Sequence, residues 1–168
     1  YYNGMPLATA MMMMIPEPWK NQSAMNQQKK DFYHYSATMM EPRDGPAAIL
    51  FSDGDTVGAT LDRNGLRPSR YYVTDDGRLI LASEVGVLDI DPRKIVVKER
   101  LHPGKMLLVD TIKGKVIDDE ELKESYAGRQ PYGEWLDSNL VELKDLKIPN
   151  QKVPSYSAEE CKRLQKAF

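Results

Sequence analysis

The chain has 168 residues, 41% hydrophobic and 29% charged, with a formal net charge of −2; this is the composition of one globular domain and a tail. The charges are interspersed, and no basic stripe with interleaved aromatics points to a nucleic-acid partner. The single cysteine, Cys161, excludes an internal disulfide framework and any Cys-based zinc or iron–sulfur site built from this chain alone.

A lone reduced thiol fits a cytoplasmic protein. The longest apolar run, residues 10–15, is far short of the roughly 20 residues that cross a bilayer, so no membrane partner is expected. The chain opens on Tyr1-Tyr2-Asn3-Gly4 and closes on Lys166-Ala167-Phe168 in a helical pattern. Both ends read as cut, and the expectation is a fragment of a larger enzyme domain.

Residues 5–15 predict a short buried helix stopped by Pro16, because the residue before proline avoids the α region. Its run Met11-Met12-Met13-Met14 reads as core filling by flexible thioethers. Four consecutive side chains point around a helix and cannot converge on one ion. After Pro16-Glu17-Pro18-Trp19, Ser23 is the expected cap of a second helix reaching Met40, with Met25, Phe32, Tyr35 and Met39 as its buried stripe. His34 lies off that stripe and reads as a solvated or packed histidine.

The pattern then turns to short strands: 47–51 and 56–61 around Asp53-Gly54, 69–74 and 78–82 around Asp75-Asp76-Gly77, 105–110 and 115–117 around Lys113-Gly114, with 95–98 as a further strand. Asp118 or Asp119 can cap a helix to about residue 126. Gly128, Pro131, Gly133, Pro149 and Pro154 then break the pattern repeatedly. Ser157 and Glu160 form a capping box at the start of a last helix. The fold class is therefore α+β, two helices followed by an antiparallel β-meander, with residues 1–126 as domain and 127–168 as a linker toward a following domain. Helices would cover one face of the sheet and leave the other bare, so a second sheet is expected from outside the chain.

The most informative stretch is Asp62-Arg63-Asn64-Gly65-Leu66-Arg67-Pro68-Ser69-Arg70. Gly65 permits positive φ, and Pro68 holds Arg67 extended. Three arginines with one acid in a loop either bind an anion or pin the loop through bidentate contacts to carboxylates and carbonyls. The expected pairs join Arg67 or Arg70 to Asp62 or Glu84. The glycine spacing and ending are not those of a Walker phosphate loop.

This stretch resembles the Asp-Arg-x-Gly-x-Arg/Lys-Pro loop of class II glutamine amidotransferases, which also carry the Ala-Ser-Glu seen here as Ala82-Ser83-Glu84. The finer resemblance is to glutamate synthase large chains. It runs through Met14-Ile15-Pro16-Glu17-Pro18-Trp19, Glu41-Pro42-Arg43-Asp44-Gly45-Pro46, Thr60-Leu61-Asp62-Arg63-Asn64-Gly65-Leu66-Arg67-Pro68, Glu84-Val85-Gly86-Val87-Leu88, Pro103-Gly104-Lys105-Met106 and Asp118-Asp119-Glu120, covering nearly the whole chain in order.

The resemblance implies part of an αββα N-terminal-nucleophile hydrolase sandwich. It implies a parent that hydrolyses glutamine and delivers ammonia to 2-oxoglutarate, reduced by a nicotinamide cofactor or ferredoxin through FMN and an iron–sulfur cluster carried elsewhere. In that family an N-terminal cysteine is the nucleophile, its own α-amine is the base, and a His-Asn-Gly motif holds the oxyanion. Here position 1 is Tyr1, and Asn64-Gly65 follows Arg63 rather than a histidine, so neither role transfers.

The expectation is no catalytic residue, metal or cofactor in this segment. Asp62, Arg63, Asn64, Gly65 and Arg67 either bind substrate or brace the loop, and Ser83 and Glu84 are structural. The implied partners are the missing N-terminal half of the amidotransferase domain, the downstream synthase domains, and glutamine in the intact site. The location is the cytoplasm, or the plastid in a plant or alga. Another class II amidotransferase, of the asparagine synthetase or phosphoribosyl amidotransferase type, and a non-catalytic scaffold or interaction module are the alternatives.

Overall fold

A computed structural model describes residues 4–147 and 155–166. The breaks expected at Pro149 and Pro154 lie outside the described residues. One compact unit runs to Ser138, and residues from Asn139 onward form a second.

The first unit begins with α1 (Leu7–Met14). Ala8, Met11, Met12 and Ile15 are buried at helical spacing, and Pro16 ends the helix as its sequence requires. The second helix, α2 (Gln27–Met39), is capped by Asn26 and not by Ser23. The Asn26 carboxamide oxygen accepts the Lys29 N–H at 2.8 Å. Its buried face is Lys29, Phe32, Tyr33 and Ser36, rotated from the expected stripe, and Met39 is exposed. Hydrophobicity misassigned the face because a lysine occupies it, held by carboxylates from other elements. His34 stacks on Trp19, ring centroids 5.3 Å apart.

The strands are β1 (Ala48–Ser52), β2 (Thr56–Leu61), β3 (Arg70–Thr74), β4 (Leu79–Ala82), β5 (Ile95–Arg100), β6 (Met106–Asp110) and β7 (Lys115–Ile117). All pairings are antiparallel, but they make two sheets in place of one continuous meander: β1-β2-β6-β7 and β4-β3-β5. β2 pairs with β6, Thr60 opposite Met106, so the smaller sheet is an excursion inserted between neighbouring strands of the larger one. The turn before β4 uses Gly77 at φ +79°, as a tight hairpin requires.

Strand alternation then sorts the larger sheet's side chains. Ile49, Phe51, Met106, Leu108 and Ile117 point to the helices and join Met12, Phe32 and Leu122 in one core. Ala59, Leu61 and Leu107 point the other way and pack with Leu101, Tyr71, Leu79 and Leu81. The face expected to be bare is thus covered at one end by the chain's own second sheet. Leu50, Val57 and Val116 on its far end are exposed.

Asp118 caps α3 (Asp119–Ala127), its carboxylate accepting the Glu120 and Glu121 amides. α4 (Tyr132–Asn139) falls in the stretch read as linker. Tyr132 nevertheless packs against α2, its ring 5.3 Å from Phe32 and 5.1 Å from Tyr35, with Trp135 5.4 Å from Tyr35. In the second unit, α5 (Ala158–Gln165) starts at the expected Ser157–Glu160 capping box.

Within the larger sheet the Phe51 ring lies directly over Gly58. A Cβ on Gly58 would sit 2.2 Å from Phe51 Cζ, and Phe51 is wedged into the helix-side core. Gly58→Ala is expected to destabilise the chain by about 1–3 kcal/mol, the usual cost of overpacking, measured by urea unfolding. A variant of wild-type stability would show that the ring can swing aside.

Candidate functional site

The 62–68 loop leaves the end of β2 and leads into β3, so it marks the crossing from one sheet to the other. Asp62 is 5% exposed. Its backbone N–H donates to the Ala47 carbonyl at 3.0 Å. One carboxylate oxygen accepts the Ala47 N–H at 3.1 Å and the other the Asn64 N–H at 3.0 Å. The Gly65 N–H turns back to the Asp62 carbonyl at 2.9 Å. Burial pushes the Asp62 carboxyl up, but the amides of Ala47, Asn64, Leu66 and Gly65 together hold it below the ordinary carboxylate range.

This overturns the expected pairing of Asp62 with an arginine. Each carboxylate oxygen is instead occupied by a backbone amide, from Ala47 and from Asn64, and burial beneath the turn keeps the group away from the exposed guanidinium groups. Among the described residues neither Arg67 nor Arg70 forms an ion pair, and Glu84 forms none either. Arg63 pairs with Asp44 at 3.1 Å, both side chains well exposed, a contact of small energetic worth.

Gly65 has φ +58°, as expected. It is doubly constrained, since a Cβ there would meet Pro103 Cγ at 2.5 Å. With the backbone fixed by Asp62, the side chains of Arg63, Asn64, Leu66 and Arg67 face solvent. Ser83 and Glu84 lie in an exposed turn after β4. Arg70 and Glu84 line one small recess with Tyr72, Ile80 and Val87. The structure therefore gathers Asp62 to Arg67 into one hydrogen-bonded turn and leaves Ser83 and Glu84 in the exposed turn that follows β4.

Sequence reasoning missed a buried ion network beside this loop. Lys29 Nζ, its side chain 3% exposed, lies 2.6 Å from Glu120 Oε1 and 3.5 Å from Glu17 Oε1. Lys123, 4% exposed, reaches Asp119 Oδ1 at 2.9 Å and Glu17 Oε1 at 3.1 Å. Lys105 stands 2.9 Å from Asp119 Oδ2, an ion pair without hydrogen-bond alignment. The Tyr33 hydroxyl donates to Glu17 at 3.0 Å; burial first, then the Glu17 charge, push that phenol far above its ordinary value. Burial pushes Asp119 up too, but Lys123 and the Met106 amide outweigh it and its carboxyl is lowered. The hydrogen bond from Lys29 lowers Glu120. The available signals were a glutamate between two prolines and a lysine at i+4 from an aspartate; neither reports burial.

Among the described residues no group of three or more His, Cys, Asp or Glu is placed to hold a metal. Cys161, the sole cysteine, is exposed in the second unit.

Residues 1–135 match the family described as class-II glutamine amidotransferases. The chain belongs to that family. Its relatives are of the glutamate synthase type. It is 51% identical over 138 residues to the large chain of the NADPH glutamate synthase of Bacillus subtilis, covering 82% of this chain and 9% of that protein. It is 49% identical over 140 residues to the NADH glutamate synthase of Schizosaccharomyces pombe, covering 83% and 7%. It is 44% identical over 169 residues to the chloroplastic ferredoxin-dependent glutamate synthase of rice, covering 99% and 10%. The chain thus spans about a tenth or less of these relatives, whose names carry three different electron donors.

Replacing Asp62 by alanine strands the buried Ala47 amide and is expected to cost about 1–3 kcal/mol. Because the folded carboxyl is depressed, its contribution is fully present above the ordinary pKa of 3.8 and is lost as pH falls through the folded value. The Tm gap between wild type and Asp62→Asn should therefore be widest near neutrality and narrow in acid. A gap that grows on acidification would contradict the amide-held carboxylate.

Proposed function

We propose that this amidotransferase segment serves the glutaminase half-reaction of a glutamate synthase as scaffold, with no nucleophile of its own. The observation that carries this is the 62–68 turn, locked from beneath by Asp62 and presenting Arg63, Asn64 and Arg67 outward. In this reading a cysteine thiolate from the N-terminal half of the domain attacks the glutamine amide carbon. Ammonia leaves, and water hydrolyses the γ-glutamyl thioester to glutamate. The exposed arginine of this turn best placed to meet a carboxylate, from substrate or from the other half, is Arg67, since Arg63 is paired with Asp44.

The exposed Leu50, Val57 and Val116 fit the second sheet of an αββα sandwich, which would continue the apolar contact begun by Tyr71, Leu79 and Leu81. Residues after Ser138 then lead toward the synthase domains. Ammonia would pass to 2-oxoglutarate in those domains, and the FMN and iron–sulfur cluster implied there would be held by residues outside this segment. The residues here do not fit that cluster, because one exposed cysteine cannot supply its ligand set. The reading places the protein in the cytoplasm, or in a plastid as the name of the rice relative states for that protein.

Purified chain incubated with glutamine should release no ammonia above buffer. Co-expression with a segment supplying an N-terminal cysteine and a His-Asn-Gly motif should restore release, and Arg67→Ala should reduce it. Turnover by the chain alone that vanishes in Cys161→Ser would overturn the scaffold reading.

A further inference from the structure

The turn 102–105 lies between the buried ion network and the 62–68 loop and touches both. On one side, the Pro103 ring rests against Gly65 so closely that a Cβ would have 2.5 Å to its Cγ. On the other, Lys123 Nζ donates to the Gly104 carbonyl at 2.7 Å. The Met106 N–H donates to Asp119 Oδ1 at 2.8 Å, and that same oxygen pairs with Lys123 at 2.9 Å. Glu17 pairs with Lys123, and its Cβ is 3.9 Å from where a Cβ on Gly104 would stand. The turn is closed by the Lys105 N–H to the His102 carbonyl at 3.1 Å, and Gly104 takes φ +68°.

Stability alone does not account for such a network. A buried ion pair gains little or nothing over apolar residues of the same volume, and the surrounding core is already rich in methionine, phenylalanine and leucine. Charged groups add direction, because an ammonium fixes a carbonyl at one place and a carboxylate fixes an amide. Here the two fixed backbone groups are the Gly104 carbonyl, within the turn that supports Gly65, and the Met106 amide, immediately after it. Lys29 offers a contrast within the same network. Among the described residues it pairs with Glu17 and Glu120 and makes no hydrogen bond to a backbone group of the turn.

We propose that Lys123, oriented by Asp119 and Glu17, is a positioning residue for the 62–68 loop, acting through Pro103 and Gly104. The network sets where the Asn64 and Arg67 side chains stand. Its relevance to glutamine rests on the function proposed above, but the mechanical coupling does not.

The test is amide hydrogen exchange on the chain by NMR, without substrate. Lys123→Met should speed exchange of the Asn64 and Gly65 amides at least tenfold, while amides of β3 change less than twofold. Lys29→Met should lower Tm but leave the loop amides within twofold of wild type. If Lys123→Met does not fold, Glu17→Gln, which keeps an acceptor for Tyr33, should give the same local pattern at about threefold. In a Pro103→Ala background the Lys123 or Glu17 substitution should no longer affect Asn64 and Gly65. Equal acceleration at every amide, or a lowered Tm with unchanged loop exchange, would overturn the proposal. Coupling without restored ammonia release in the co-expression assay would sink the glutaminase reading alone.

Discussion

The Asp62 carboxylate sits where the chain leaves the larger sheet to build the smaller one, and its bonds reach both ways. By accepting the Ala47 amide it ties the start of β1 to the end of β2. By accepting the Asn64 amide it folds the exit into a tight turn. The β1–β2 ladder and the Asp53 turn already set the register of that hairpin; the Asp62 closure adds the tie at its open end, where the excursion departs and Leu61 packs against Leu107 and Leu101. Hydrogen bonds to an ionised carboxylate are stronger and more directional than neutral ones, which suits a hinge between two sheets.

The excursion between β2 and β6 also explains the division of the core. Strand alternation sends one set of side chains toward the helices and the other toward the smaller sheet. The two sets form separate clusters on opposite faces of the larger sheet. The 62–68 and 102–105 turns are both at one end of that sheet. They meet at Gly65 and Pro103, and beneath them lie lysines drawn into the core from α2 and α3.

Much of the secondary structure was legible. The Asp75-Asp76-Gly77 and Asp53-Gly54 turns fix their hairpins because glycine alone enters positive φ without steric cost. The Asp118 and Ser157 caps stand where their side chains can meet free amides. The face of α2 was misread, because Lys29 on the buried side broke the hydrophobic pattern while exposed Met39 extended it. The arginine loop was legible as a distinctive motif and as a glycine-dependent turn, but its bonding was not. Counting charges favoured arginine–carboxylate pairs, whereas the turn's own amides lie closer to Asp62 than any guanidinium.

The sequence by itself determined the strands, the turns, the family likeness and the presence of a single cysteine in these 168 residues. These are local or compositional properties, set by backbone sterics and by which residues are present. Only the tertiary structure decided that the strands of the described residues divide into two sheets, that Asp62 serves backbone and not arginine, and that Lys29 and Lys123 are buried. Each of those outcomes depends on groups distant in the chain arriving together. Burial of a lysine is tolerable only where carboxylates from other elements meet it, and no local pattern records that meeting.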